Sequence, residues 1–345
     1  MQRYRRYGEM LIETAIRAVA FLSITVIALI FLFIGREALG VFSAAESSIH
    51  AESSDIAAEV YNPEVYNPEE GSESTPAPTA AEQTPQETAP SSLWANLLGS
   101  TWQPVSRQPK YGILPLVVGT LKIALIAVAL AAPLAILAAL YTAFFAPKWM
   151  QELIKPVVEL LAGFPSVVIG FFCLMVVASA VQEALGTTYR LNALVGGIGV
   201  AIAILPVIFT ISEDTFAALP RRLWEAGLAL GARPWEVAFR IMLPAAIPGV
   251  FAAVLLGLGR AIGETMIVLM ASGNAPLLSW SVLAPARTLS ATIGAEMGEV
   301  VWGSLHYHVL FLLGFLLFVA TLTLNATAEL WVRRRLLQRF RGMSS

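Results

Sequence analysis

The sequence predicts an all-α integral membrane protein with six transmembrane helices, and three observations carry that prediction. Of 345 residues, 57% are hydrophobic and 13% charged, with mean hydropathy +0.71, whereas an ordinary soluble domain is roughly 25% charged. Six stretches are apolar over a length that spans a bilayer, which takes about 20 residues: 16–34, 114–141, 157–181, 192–212, 247–272 and 305–328. The basic residues gather in alternate flanks of those stretches, the pattern of a multi-pass protein with a fixed orientation.

The first stretch follows Arg3, Arg5 and Arg6. Its apolar run through Phe33 exceeds the roughly 7–15 residues of a secretory signal core, so an uncleaved anchor is expected. After it comes "SAAESSIHAESSDIAAEVYNPEVYNPEEGSESTPAPTAAEQTPQETAPSS", rich in Ser, Thr, Pro and Glu, with a tandem VYNPE at 60–69. Such a composition cannot bury enough apolar surface to offset its ordering entropy and reads as a tether.

Spans two to four carry Pro133, Pro165 and Pro206 and a Gly-Gly-Ile-Gly run at 196–199. Kinks and small residues of this kind suit close helix packing inside a membrane bundle. Lys148 and Lys155 lie between spans two and three, Arg221, Arg222, Arg233 and Arg240 between four and five, and "RRRLLQRFR" at 333–341 follows the sixth. This bias puts both termini and the 213–246 loop in the cytoplasm, and the tether and the 273–304 loop outside. The chain then divides into a cytoplasmic N-terminus and first anchor (1–35), an acidic periplasmic tether (36–112), a core (113–328) and a basic cytoplasmic tail (329–345).

Several function classes are excluded. The single cysteine, Cys173, allows no disulfide framework, and His50, His306 and His308 form no ligand cluster, so no metal site is expected. None of the four lysines, Lys110, Lys122, Lys148 and Lys155, follows a glycine, so there is no phosphate-cradling P-loop and this chain does not hydrolyse ATP itself. There is no nucleophile elbow and no HExxH motif. No feature calls for a nucleic-acid partner.

The loop "LWEAGLALGARPWEVAFRIMLPAAIPG" at 223–249 is amphipathic, with Glu225, Arg233, Glu236 and Arg240 set among Leu, Trp and Phe. Two short helices parted at Gly231, the second ending at Leu243-Pro244, would make a surface knob fit to dock in a groove on another protein. Its spacing, Glu225-Ala226-Gly227, three residues, Gly231, nine residues, then Ile241-x-Leu243-Pro244, resembles the EAA loop of permease subunits of bacterial ABC importers. Gly227 departs from the second alanine of the usual pattern.

Four further segments, "LLGSTWQPVSRQPKYGILPLVVGTL" (97–121), "GFPSVVIGF" (163–171), "GRAIGETMIVLMASGN" (259–274) and "TIGAEMGEVVWGSLHYHVLFLLGFLLF" (292–318), resemble the PstC-type permease of the phosphate-specific ABC importer. The PstA-type subunit shares the Arg-Ala-Ile-Gly-Glu-Thr core. The resemblance implies a type I, MetI-like permease bundle in the bacterial inner membrane, moving inorganic phosphate. It implies a PstA-like permease, a PstB-like ATPase dimer and a PstS-like periplasmic binding protein as partners. No cofactor would be bound by this chain, ATP and Mg belonging to the ATPase. Permeation of sulfate, molybdate or phosphonate, a PstA-like role, a passive anion channel and a phosphate-sensing subunit stay open.

Arg260 and Glu264 stand four residues apart in the fifth apolar stretch. On a continuous helix they would share a face and lie close enough to pair. A charge at mid-membrane costs about 2.5–3.5 kcal/mol on insertion scales, so it belongs beside a partner or a wet cavity. One reading is a mutual ion pair. The other is that Arg260 offers a forked donor to a tetrahedral oxyanion, with Glu264 holding it when no anion is present and Thr265 contributing a hydroxyl. Arg287, Glu296 and Glu299 fall in the outer loop, where solvated charges, contacts to a binding protein and an outer gate are all open readings.

Overall fold

The computed structural model describes residues 21–22, 25–26, 28–45, 93–106 and 108–341, with side chains placed through residue 330 except that of Leu93. Arg3, Arg5, Arg6, His50, the VYNPE repeat and the rest of 46–92 lie outside the described residues, as do the side chains of the basic run at 333–341.

Six helices among the described residues are long and apolar enough to span a bilayer. Helix α1 (Ala28–Ala45) leads to a small cap formed by α2 (Leu93–Leu97), β1 (Trp102–Gln103) and β2 (Lys110–Tyr111). The core then runs α3 (Leu114–Phe144), α4 (Lys148–Ala162), α5 (Ser166–Leu185), α6 (Ala193–Ala217), α7 (Arg221–Ala229), α8 (Pro234–Gly263), α9 (Met266–Ala271), α10 (Leu289–Glu296) and α11 (Leu305–Arg341).

At the centre α3 packs along α6. Lipid supplies no hydrophobic drive between helices, so close approach depends on small side chains. Ala124, Ala127, Ala131, Ala135 and Ala139 recur every three or four residues on α3, all buried. On α6, Gly197 lies against Ile126, and a Cβ on Gly199 would stand 2.6 Å from Ile267 and 2.8 Å from the Cys173 sulfur. Asn192 opens α6 by accepting the Val195 N–H at 3.1 Å, a side-chain cap that satisfies one of the helix's free donors.

Three spans depart most from the hydropathy reading. The first helix continues past 34 to Ala45, held on α11 by Phe31 against Phe315 and Phe318 and Phe33 against Phe311. Of the stretch expected as tether, 36–45 is therefore helix and 93–106 with 108–112 form the folded cap. The third span begins at Ser166, not 157: Pro165 is extended, and the preceding α4 is a separate amphipathic helix with no buried residue. The fifth span starts at Pro234 and stops at Gly263, because Glu264 turns to an extended conformation (φ −69°, ψ 127°).

Two antiparallel strands of two residues, Trp102 opposite Tyr111 and Gln103 opposite Lys110, lay the cap on the helix ends. Trp102, Tyr111, Leu116, Leu289 and Leu310 share an apolar cluster there with Val41 of α1.

Candidate functional site

The segment after α8 doubles back as a polar-stitched loop. Ser272 donates to the Ala286 carbonyl at 2.6 Å and its own carbonyl accepts the Ala286 N–H at 3.0 Å. The chain turns between them on Gly273 (φ +81°) and Asn274 (φ +44°), the left-handed conformation that Gly and Asn tolerate best. Thr288 caps α10 by accepting the Ala291 N–H at 3.1 Å, and the Thr120 hydroxyl of α3 accepts the Leu289 N–H at 3.0 Å. Lys122, buried on α3, donates to the carbonyls of Ser279 and Ser281 at 2.9 and 3.0 Å. Ser, Thr and Lys side-chain bonds thus stand in for a helical ladder between Ser272 and Thr288 and help satisfy a backbone that hydrocarbon could not solvate.

Arg260 occupies the last turn of α8, where the helix dipole favours a cation. The buried stripe of α8 runs through Ala246, Val250, Ala253, Gly257 and Ala261, and Arg260, at the edge of that stripe, is exposed. The helix ends three residues later, so the expected i, i+4 relation to Glu264 is lost. No ion pair joins the two among the described residues. Instead the Glu264 carboxylate accepts the Ile267 N–H at 3.4 Å, at the start of α9, and its backbone carbonyl accepts the Ser290 hydroxyl at 2.7 Å. Thr265 donates to the Gly263 carbonyl at 3.3 Å. Arg260 is left as an exposed cation near the end of an apolar helix long enough to span a bilayer.

The 223–249 loop folds as two helices parted at Gly231, which takes φ +83°. The second helix does not end at Leu243-Pro244. It continues into α8, because the Leu243 N–H reaches back five residues to the Ala238 carbonyl and this wide turn over Ala238–Met242 absorbs the missing Pro244 donor. Gly227 is buried where α7 meets α8: a Cβ there would come 2.8 Å from Val237 and 2.9 Å from Ile241. The departure from alanine at 227 follows from that approach. Trp224 turns inward to stack on Phe144 at 5.1 Å, whereas Glu225, Ala226 and Pro244 are exposed and Ile241 and Leu243 partly covered. Leu230, Trp235 and Phe239 stand out around them, forming an apolar knob with a charged rim.

A third cluster was not expected from the sequence. The Glu296 carboxylate lies 2.8 Å from the Arg287 guanidinium and 3.3 Å from His306 Nε2, and accepts the Trp102 indole N–H at 3.1 Å. Tyr111 stacks on His306 at 5.8 Å. Burial alone would raise the Glu296 pKa, but the His306 hydrogen bond, the Arg287 charge and the Trp102 N–H together hold it below the usual glutamate value. Tyr111 is pushed up by burial and by the charge of Glu296. Arg287 and Glu296 are thus partners that bind the cap to the 273–304 loop, whereas Glu299 is exposed. Their five positions are spread from 102 to 306, so local spacing carries no signal of the cluster.

Comparison with known proteins follows the same outline. Residues 131–338 match the family described as "Binding-protein-dependent transport system inner membrane component". A probable ABC transporter permease protein, YqgH of Bacillus subtilis, is 37% identical over 223 residues, 65% of this chain and 72% of that protein. The phosphate transport system permease protein PstC of Mesorhizobium japonicum is 36% identical over 257 residues, covering 69% of this chain and 78% of its own. PstC 1 of Mycobacterium tuberculosis is 35% identical over 246 residues, 65% of this chain and 73% of its own.

Proposed function

The chain belongs to the binding-protein-dependent transport system inner membrane components, and within them to the PstC-type permeases, and from that membership we propose that it forms one half of the phosphate pathway of an ABC importer. It is a multi-pass inner-membrane transport subunit, and ATP hydrolysis falls to a separate ATPase subunit. Its partners are a PstA-like permease across the pathway, a PstB-like ATPase dimer on the cytoplasmic side and a PstS-like binding protein outside. ATP and Mg sit on the ATPase, and this chain holds no cofactor. Both termini and the 223–244 knob face the cytoplasm, in keeping with the basic flanks.

One observation carries the assignment of the site: Arg260, in a spanning helix, is exposed and has no ion-pair partner among the described residues. A guanidinium at that depth needs a wet cavity or an anion. Its planar fork matches a tetrahedral oxyanion, and a weak site of this kind suits passage better than capture, which the binding protein performs. Glu264 and Thr265 shape the helix break beside it, Glu264 through the start of α9 and its tie to Ser290.

Coupling enters at the knob. Glu225, Ala226, Gly227 and Gly231 form its first half and Ile241, Leu243 and Pro244 its root, the root being continuous with α8 and hence with Arg260. Movement of the knob in the ATPase groove turns α8 as a lever, and the pathway alternates between inward and outward access by rigid-body motion about the midplane.

The test is ATP-dependent uptake of labelled phosphate by proteoliposomes holding the complete importer. Arg260→Gln is expected to lose uptake while the ATPase stays bound, and Glu225→Ala to lose ATPase binding as well as uptake. Uptake that survives Arg260→Gln in an assembled complex refutes the anion site. Uptake of sulfate in place of phosphate by the wild type refutes the substrate.

A further inference from the structure

Between α1 and α11 runs a membrane-facing groove of about 430 Å³, walled by Phe31, Leu32, Phe42, Leu312 and Phe315 and floored by Gly35. Arg36 stands on its rim with a side chain 82% exposed. The depth of that arginine follows from its neighbour: the Glu37 carbonyl meets His308 Nδ1 at 2.9 Å. His308 is three residues into α11, about 4.5 Å of helix rise from its start. Arg36 therefore lies level with the first turn of α11, where a side chain that extends its charge past an apolar stem can reach headgroups. Phe31 and Phe315 lie deeper along the same groove. On the other side of Arg36, Phe42 packs on Trp94 of the cap at 5.5 Å, and Trp94 is 60% exposed, as expected of an aromatic at the membrane interface.

The order along the groove is thus an interfacial tryptophan, a cation and an apolar channel pointing to the bilayer centre, the polarity of a single phospholipid. Glu37 takes one Arg36 N–H at 3.1 Å but is itself turned inward, with its side chain 10% exposed and facing His308. The rest of the Arg36 side chain is exposed, 82% of it, beside the groove. We propose that this groove holds one phospholipid, its phosphodiester on Arg36 and one acyl chain laid over Gly35 between α1 and α11. Charge complementarity and the surrounding medium both select lipid as the occupant, and the bound molecule joins α1 to the core where the aromatic contacts leave a gap.

The assembled importer, purified in detergent and titrated with phosphatidylglycerol, is to be followed by native mass spectrometry. Wild type is expected to keep one phosphatidylglycerol after delipidation, and Arg36→Gln to hold it about tenfold more weakly. Gly35→Leu is expected to lose it by filling the channel; a Cβ at 35 meets Phe315 only at 3.6 Å, so the helix contact survives. Since Arg36 is exposed, Arg36→Gln still decides the matter if Gly35→Leu disturbs α1. Equal retention by wild type and Arg36→Gln, or no retained lipid in wild type, overturns the proposal. Displacement of the lipid by millimolar inorganic phosphate overturns it too, by assigning Arg36 to the free anion.

Discussion

The Arg287 guanidinium and the Glu296 carboxylate, 2.8 Å apart with side chains 12% and 17% exposed, hold the 273–304 loop through His306 to the start of α11 and through Trp102 to the cap. Replacing Glu296 with Gln leaves that guanidinium partly buried without a counter-charge and weakens three contacts at once. The expected loss is about 2 kcal/mol, felt mainly as faster hydrogen exchange over 93–112. The sign of the pH effect follows from the depressed Glu296 pKa. Its contribution is complete above the pKa of an unfolded glutamate and is lost as pH falls through the lower folded value. Cap protection should therefore hold from neutrality down to about pH 5 and collapse only in more acid solution. Protection unchanged in Glu296→Gln would show that the cap is held by the apolar cluster alone.

Gly227 sits where α7 crosses α8, with Val237 and Ile241 closer than a side chain allows. Gly227→Ala, although it restores the commoner residue of the EAA pattern, is expected to part the two helices and to destabilise the knob by about 1–2 kcal/mol. Limited proteolysis near Gly231 should then speed up, with the spans unaffected. Cleavage at the wild-type rate would mean that the Ile241 end swings aside at no cost.

What the sequence discloses depends on the range of the signal. Spans were legible because composition alone identifies them, and the knob because glycine and proline punctuate it locally. The end of α8 was hidden: residues 264–271 stay apolar enough to extend the hydropathy run, and hydropathy is blind to the extended backbone of Glu264. Pro165 was readable as a kink, but only packing shows that it separates a surface helix from a span. The Glu296 cluster gathers side chains nearly two hundred residues apart, a relationship that exists only after folding.

Lys155 of α4 meets Glu213 of α6 at 3.0 Å, and the exposures differ, 47% for the lysine side chain and 9% for the glutamate. That asymmetry predicts unequal mutants. Lys155→Met strands a nearly buried carboxylate and should cost about 1–2 kcal/mol, whereas Glu213→Gln keeps an acceptor in place and leaves only an exposed lysine unpaired. Thermal unfolding of the two variants in detergent checks the order, and equal losses would mean that solvent reaches Glu213.

Lys122 is buried with its ammonium on two carbonyls, Ser279 and Ser281. In Lys122→Met the relief of a desolvated charge offsets the lost hydrogen bonds, so overall stability should shift by less than about 1 kcal/mol. The loop itself is freed, and hydrogen exchange over 276–283 should rise about tenfold. A large fall in melting temperature with unchanged loop exchange would place the role of Lys122 in the core rather than the loop.

Arg260 and Glu264 are separated by the end of α8 at Gly263, and their variants are expected to behave differently. Glu264→Ala removes the acceptor for the Ile267 N–H and should cost about 1 kcal/mol, as for one lost hydrogen bond, while Glu264→Gln keeps an acceptor and should cost less than half of that. Neither change touches the backbone carbonyl that holds Ser290. Arg260→Gln, at an exposed position, should leave stability within about 0.5 kcal/mol of wild type and yet abolish phosphate uptake. Melting temperature and uptake measured on all three variants therefore divide the pair into a structural carboxylate and a pathway cation. If Arg260→Gln instead lowers stability as much as Glu264→Ala, the arginine is tied into the fold and its exposure in the single chain does not mark an anion path.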